Sequence, residues 1–320
     1  MTAGFLVIDK PPGITSHDVV SVLRAVFGVK KIGHTGTLDP FATGVLPMAI
    51  GHATRLIPFL DEGTKGYEAT LLLGQKTDTA DCDGEVIASH DVPSIDARMV
   101  NDAMQALLGD RLQRPPMYSA VKVAGKPLYK YAREGAEVEV RARPIRIDEM
   151  SLLGLEGCTL RFAVRCSRGT YVRVLGESLA ESLGTVGHLT QLRRTCSGSF
   201  TLAGSLPFEE LSELVSGRED WRPVLRRRRD EPRVEWRPRD AYLPTIQERL
   251  LSPEAALAHL PRLEIGPEDR RMLRIKGVVE SAPSGVEDGD LWRVDIDGRM
   301  RGVMRYADGR SRVARMLPDG

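Results

Sequence analysis

Several things are missing from this 320-residue sequence, and each removes a class of function. No uninterrupted apolar stretch reaches membrane-spanning length, and the short apolar run at 4–8 meets Asp9 and Lys10 at once. Neither a membrane span nor an opening secretory signal is visible, so a cytoplasmic location is expected. The four cysteines, Cys82, Cys158, Cys166 and Cys196, lie far apart without a C-x-x-C pair. That spacing suggests neither a zinc site nor a disulfide framework, and it reads as reduced thiols, mostly in the core. No G-x-G-x-x-G or G-x-x-x-x-G-K-[ST] fingerprint occurs, and no His/Cys group has metal-ligand spacing, so no cofactor and no metal are expected. The acidic run Asp78-Thr79-Ala80-Asp81-Cys82-Asp83-Gly84 superficially suggests calcium, but its acids are shifted one place from the EF-hand pattern and read as a turn-rich loop. A net charge of only +1 argues against a uniformly basic nucleic-acid binder.

What is present is an ordinary folded composition, 42% hydrophobic and 28% charged, over a length that favours two domains. Residues 5–8 read as a strand, and Thr15-Ser16-His17-Asp18 offers caps for an amphipathic helix over 19–27. Residues 45–50 suit a buried strand or a helix start, and 67–73 alternate as a strand. Further β-like runs fall at 138–140, 145–153, 159–166 and 171–175, with helical patterns at 100–108 and 174–183. Strands and helices do not alternate regularly, so the expectation is an α+β fold with a mixed, mostly antiparallel sheet. Residues 217–240 carry nine Arg, three Pro and two Trp without periodicity and read as a solvated linker, Arg226 to Arg229 included. Beyond a short helix at 252–260, turns at Ser284-Gly285, Asp288-Gly289, Asp297-Gly298 and Asp308-Gly309 suit a small β-domain.

Charge is distributed unevenly. From 111 to 146 there are nine Lys or Arg against three Glu, with Tyr118, Tyr129 and Tyr131 interleaved. Aromatic faces beside cations are what unpaired RNA bases stack on, although a solvated hairpin anchored by tyrosines has the same composition. In Gly33-His34-Thr35-Gly36-Thr37-Leu38-Asp39-Pro40 one carboxylate stands among glycines, hydroxyls and a proline, with little apolar material to bury it. Pro40 biases Asp39 away from helical backbone, which suits an active-site loop and an ordinary Asp-Pro turn alike.

That segment, continuing through Phe41-Ala42-Thr43-Gly44-Val45-Leu46-Pro47, resembles the catalytic-aspartate segment of the bacterial tRNA pseudouridine-55 synthases. Four more segments match in order: Asp9-Lys10-Pro11-Pro12-Gly13, Lys65-Gly66-Tyr67-Glu68-Ala69, Leu73-Gly74-Gln75-Lys76-Thr77-Asp78-Thr79 and Cys166-Ser167-Arg168-Gly169-Thr170-Tyr171-Val172-Arg173. The resemblance implies a catalytic domain over 1–216 with a basic RNA-binding insertion at about 111–146. It thins over the Arg/Pro-rich linker or insertion, taken as 217–250, and 251–320 is similar to the family's small β-barrel-like RNA-binding domain of the PUA type. The implied reaction breaks the ribose C1′–N1 bond, turns the freed uracil and joins C1′ to C5, with no redox change and therefore no cofactor.

By the same resemblance Asp39 is nucleophile or electrostatic catalyst, Arg173 its partner, and Tyr67 stacks on the base and removes the C5 proton. Leu192 shapes the uracil pocket, His34 contacts RNA after the base leaves the stack, and Lys10 and Asp78 support the site or the RNA. Arg114, Tyr118, Lys122, Lys130 and Arg133 are the candidate contacts in the insertion. The partner is the tRNA T-arm, engaged by a monomer without membrane or obligatory protein partner. Attack at C6, attack at C1′ and a glycal route fit equally at this point. The rivals are an RNA-folding module with secondary or lost catalysis, which the set of Asp39, Tyr67 and Arg173 disfavours, and a guide-RNA-dependent synthase, which the basic, tyrosine-bearing insertion disfavours.

Overall fold

The computed structural model describes residues 3–61, 63–136, 138–225 and 235–318; the expectation for Arg226 to Arg229 lies outside the described residues. A ten-stranded sheet forms the larger part. Its main order runs Leu206–Pro207, Gly4–Lys10, Thr43–Ile50, Gly187–Ser197, Thr64–Leu73, Thr159–Ser167, Arg143–Glu156, Gly109–Gln113. Strand Gly4–Lys10 runs parallel to Leu206–Pro207, and Thr43–Ile50 parallel to Gly187–Ser197, while the other main pairs are antiparallel. The short strands Ile32–His34 and Phe200–Thr201 add to this sheet at Thr43–Ile50 and Gly187–Ser197.

Period-two patterning sorts the two faces. Leu6, Ile8, Leu46 and Met48 join Tyr67, Ala69 and Leu71 under helices Ser16–Phe27, Ala97–Ala106, Val172–Ser182 and Phe208–Ser216. Their alternates Phe5, Val7, Val45 and Ala49 face the other way and share a second core with Leu56, Leu257, Met300 and Val303. The C-terminal five-stranded sheet is therefore packed directly on the underside of the larger one, with its own core built around the fully buried Trp292. Two of its hairpins turn at Asp297-Gly298 and Asp308-Gly309, where both residues of each pair have positive φ, the conformation a two-residue type I′ turn requires.

The cap at Thr15 is a full capping box with Asp18, and the helix ends at Gly28 in the left-handed region, as the composition suggests. Other expectations need correction. Residues 138–140 form no strand, and 171–175 begin the helix Val172–Ser182, because Val172, Leu175, Gly176, Leu179 and Ala180 bury one face at helical spacing. Cys166 alone of the four thiols is buried; Cys82 and Cys158 are exposed. Within 217–250, Val224 and Leu225 are buried, Trp221 and Trp236 lie against the main core, and Arg239–Glu248 is a helix with Tyr242 and Ile246 inside. The density of arginine there masks an apolar pattern. The insertion holds a minimal hairpin, Lys122–Val123 with Lys126–Pro127, and a short helix Leu128–Arg133.

Candidate active site

The loop from Thr35 to Ala42 leaves the short strand Ile32–His34 and returns into Thr43–Ile50. Four side chains fix its backbone. Ser16 Oγ accepts from the Leu38 N–H at 2.9 Å and donates to the Leu38 carbonyl at 3.1 Å, which ties the loop to the first turn of helix Ser16–Phe27. Lys10, fully buried, donates to the carbonyls of Pro11, Ile14 and Pro40 at 2.8, 2.8 and 3.1 Å. Burial pulls its pKa down to about 7, with the Asp39 carboxylate opposing. Arg194 donates through Nε to the Val45 carbonyl at 2.7 Å and through Nη2 to the Gly36 carbonyl at 3.0 Å. The fourth is Arg173, through Asp39 itself.

Arg173 stands in the first turn of helix Val172–Ser182, where Gln113 sets the start of the helix. The Gln113 amide accepts from the Tyr171 N–H at 2.7 Å and donates to the Tyr171 carbonyl at 3.1 Å, holding Tyr171 extended. Arg173 keeps only 3% of its side chain exposed; its Nε lies 2.9 Å from Asp39 Oδ2 and its Nη1 3.2 Å from Asp81 Oδ2. The Nε–H is not aligned for a hydrogen bond, so the Asp39 contact is held by charge. Nη1 donates to the Thr79 carbonyl at 2.6 Å and Nη2 to the Tyr118 carbonyl at 2.8 Å. One guanidinium thus joins the loop of Asp39, the acidic turn of Asp81 and the basic insertion.

Asp39 keeps 31% of its side chain open, on the cavity side. Burial of the rest pushes its pKa above the ordinary value, the Asp81 charge adds to the rise, and Arg173 and Lys10 oppose it. The cavity, about 240 Å³, is walled by Asp39, Lys65, Tyr67, Tyr171, Leu192 and Arg194 among others. It lies below the usual range of whole-ligand pockets, roughly 300–1,000 Å³, and matches a single ring better than a run of nucleotides. Tyr67 is buried, and desolvation raises its phenol pKa against the pull of Arg194. Among the described residues no group of three His, Cys, Asp or Glu is arranged to hold a metal.

The remaining candidates spread outward. His34 is on the strand before the loop rather than in the cavity wall; burial, with Arg194 second, lowers its pKa, so it is held neutral. Asp78 accepts from the Tyr118 hydroxyl at 3.2 Å and, through its other oxygen, from the Glu85 N–H at 2.9 Å. Arg114, Lys122, Lys130 and Arg133 are exposed or half-buried, and among the described residues none of the four is in an ion pair. Two insertion tyrosines are engaged locally: Arg133 stacks over Tyr129 at 5.6 Å, and Lys126 lies over Tyr131 at 4.4 Å. Tyr131 also donates to the Val123 carbonyl at 3.2 Å and so anchors the hairpin.

A family described as TruB family pseudouridylate synthase (N terminal domain) matches residues 24–172, which takes in Asp39 and Tyr67 and stops one residue before Arg173. The tRNA pseudouridine synthase B of Geobacter sulfurreducens is 40% identical over 301 residues, 92% of this chain and 90% of that protein. This chain belongs to the TruB family. A second relative, the tRNA pseudouridine synthase B of Ruegeria pomeroyi, is 37% identical over 98% of this chain and 95% of its own length. The TruB architecture also resembles that of a solved structure described as a Cbf5-Nop10-Gar1 complex, with a TM-score of 0.69 at 24% identity over 98% of this chain and 84% of that one. At that identity the likeness concerns the fold.

Three members of this TruB-family site are not evident from the sequence. Asp81 shares Arg173 with Asp39, whereas its acidic run suggests at most a calcium ligand; its place two residues after a matched segment is the available signal. Gln113 and Arg194 carry no local motif, and Arg194 sits on a strand, Gly187–Ser197, whose apolar alternation is interrupted by that same buried arginine.

Proposed function

We propose that the protein isomerises uridine 55 in the T-loop of tRNA to pseudouridine, with Asp39 as the carboxylate that acts on the ribose of an everted nucleotide. The observation that carries this reading is the ionic contact of Asp39 with Arg173 at the wall of a cavity closed by Tyr67 and Leu192. A carboxylate half-buried against a buried cation has no evident use in RNA binding alone, which disfavours a pure folding module. The names of the relatives supply tRNA as substrate.

Cleavage of the C1′–N1 bond leaves positive charge on the sugar and negative charge on the uracil. Asp39 meets the first, and Arg173 keeps it ionised while the pocket excludes water. Uracil then turns within the cavity and C5 bonds to C1′; the Tyr67 hydroxyl takes the C5 proton as it releases its own toward N1, so the phenol is regenerated and atoms and charge balance. Extruding the nucleotide costs a few kcal/mol, which Arg114, Lys122, Lys130 and Arg133 offset through phosphate contacts. His34, held neutral, packs against the emptied T-loop.

Conversion in a T-arm stem-loop is the test. Wild type should form pseudouridine at position 55, and Asp39→Asn should bind the RNA but form none. Equal product from both would remove Asp39 from the chemistry, and no product from wild type would remove the substrate assignment.

A further inference from the structure

We infer that Arg194 is a positioning residue that fixes the Tyr67 hydroxyl against the backbone of the catalytic loop, coupling the group that moves the C5 proton to the segment that presents Asp39. The inference rests on the proposed role of Tyr67. Arg194 and Tyr67 are direct partners across the antiparallel pair Gly187–Ser197 and Thr64–Leu73. Residues so paired place their Cβ atoms about 4.5–5.5 Å apart on one face, and both side chains line the same cavity. Beyond Val45 and Gly36, the Arg194 guanidinium reaches the Thr37 carbonyl through Nη1 at 3.4 Å, and its charge bears on the Tyr67 phenol across the shared cavity. It therefore touches the loop two and three residues before Asp39 and shares one cavity wall with the ring.

The residue type carries the second half of the inference. Three carbonyls could be held by neutral donors, and a buried guanidinium is costly unless its charge is used. Arg194 is 1% exposed, and among the described residues no carboxylate forms an ion pair with it. Its charge faces a phenol whose deprotonation it favours. The other ionisable groups facing Tyr67 are Asp39 from the loop and Cys166 from the strand on its far side, both of which disfavour the phenolate. Lys65, on the same strand, and Tyr171, at the head of the helix, share the cavity wall. Arg194, by its charge, is thus what opposes the effect of burial on Tyr67.

The test pairs Arg194→Lys and Arg194→Met with Tyr67→Phe, using full-length protein. Tyrosine carrying a ¹³C label at Cζ, with Tyr67 assigned by its loss in Tyr67→Phe, reports phenol titration without any activity measurement. Arg194→Met should move the Tyr67 titration to higher pH, and Arg194→Lys should restore much of it. Single-turnover pseudouridine formation on the T-arm stem-loop should fall about 100-fold in Arg194→Met, the scale of a 1 Å misplacement, with RNA affinity little changed. The Arg194→Lys/Tyr67→Phe double variant should be no slower than Tyr67→Phe alone. An unmoved titration in folded Arg194→Met, or a double variant slowed by the product of the single effects, overturns the inference. Should Arg194→Met not fold, the Arg194→Lys titration and cycle decide alone. If wild type makes no product on this RNA, the substrate reading fails while the titration still judges Arg194.

Discussion

Replacing Arg173 with Met separates charge from packing at the proposed site, because the stem is retained while one buried cation is lost from between two carboxylates. Asp39 loses a partner at 2.9 Å and Asp81 one at 3.2 Å, and the carbonyls of Thr79 and Tyr118 lose their donors. Opposite charges about 4 Å apart at an effective dielectric of 20 attract by about 4 kcal/mol. Asp39 is partly open to solvent, so roughly half of that is a fair share, and about 2 kcal/mol corresponds to about 1.5 pKa units. In the proposed mechanism Asp39 acts as a carboxylate, and its pKa already lies above the ordinary value. The variant's acid limb in single-turnover rate against pH should therefore move toward neutrality by about one to two units. Adding Asp81→Asn removes the like charge and should move the limb part of the way back. The assay is pseudouridine formation on the T-arm stem-loop from pH 4.5 to 9, with circular dichroism confirming the fold. A folded Arg173→Met enzyme whose acid limb coincides with that of wild type would refute the electrostatic role.

Asp39→Asn should be at least as stable as wild type at neutral pH. A carboxyl whose folded pKa is raised contributes stability below its unfolded pKa, near 3.8, that is lost as pH rises through the folded value. Thermal melts should show that advantage shrinking below about pH 4, and a less stable variant at pH 7 would contradict the assignment. Substituting Lys122, Lys130 and Arg133 by Ala should weaken RNA binding with little change in single-turnover rate at saturation. The dependence of log Kd on log salt should flatten by about 0.7–0.9 for each phosphate no longer neutralised, and an unchanged slope would place the RNA elsewhere. Gly44→Ala should abolish the fold, because Gly44 has φ +100° and an added Cβ would meet the Arg194 carbonyl oxygen at 2.2 Å. Soluble, active Gly44→Ala protein would disprove the close parallel approach of Thr43–Ile50 to Gly187–Ser197.

The parts of this structure that a reader of the sequence can see are those where a residue type has few other uses. Asp-Gly pairs flanked by alternating residues mark the C-terminal hairpins, and Thr15 with Asp18 marks a helix start. Asp39 is conspicuous because glycines and Pro40 surround it. Arg173 is visible only through resemblance, since Thr170-Tyr171-Val172 has strand-like composition and the burial of Val172 and Leu175 on one helix face depends on a distant sheet. Arg194 is hidden for a stronger reason. Arginines are mostly exposed, and nothing local announces that this one is enclosed by a loop more than 150 residues earlier in the chain. Long-range partners also decide Asp81 and Gln113, whose value lies in what they hold rather than in their own neighbours.

The seam of Phe5, Val7, Met300 and Val303 has a practical implication for anyone trimming the chain. Cutting away roughly the last seventy residues would uncover a greasy panel beneath the strands that carry the pocket, and the remnant should clump rather than behave as a minimal enzyme. The tail is a floor on which the rest is built, so shorter versions would need polar replacements at Phe5, Val7 and Ala49 before their catalysis could be judged.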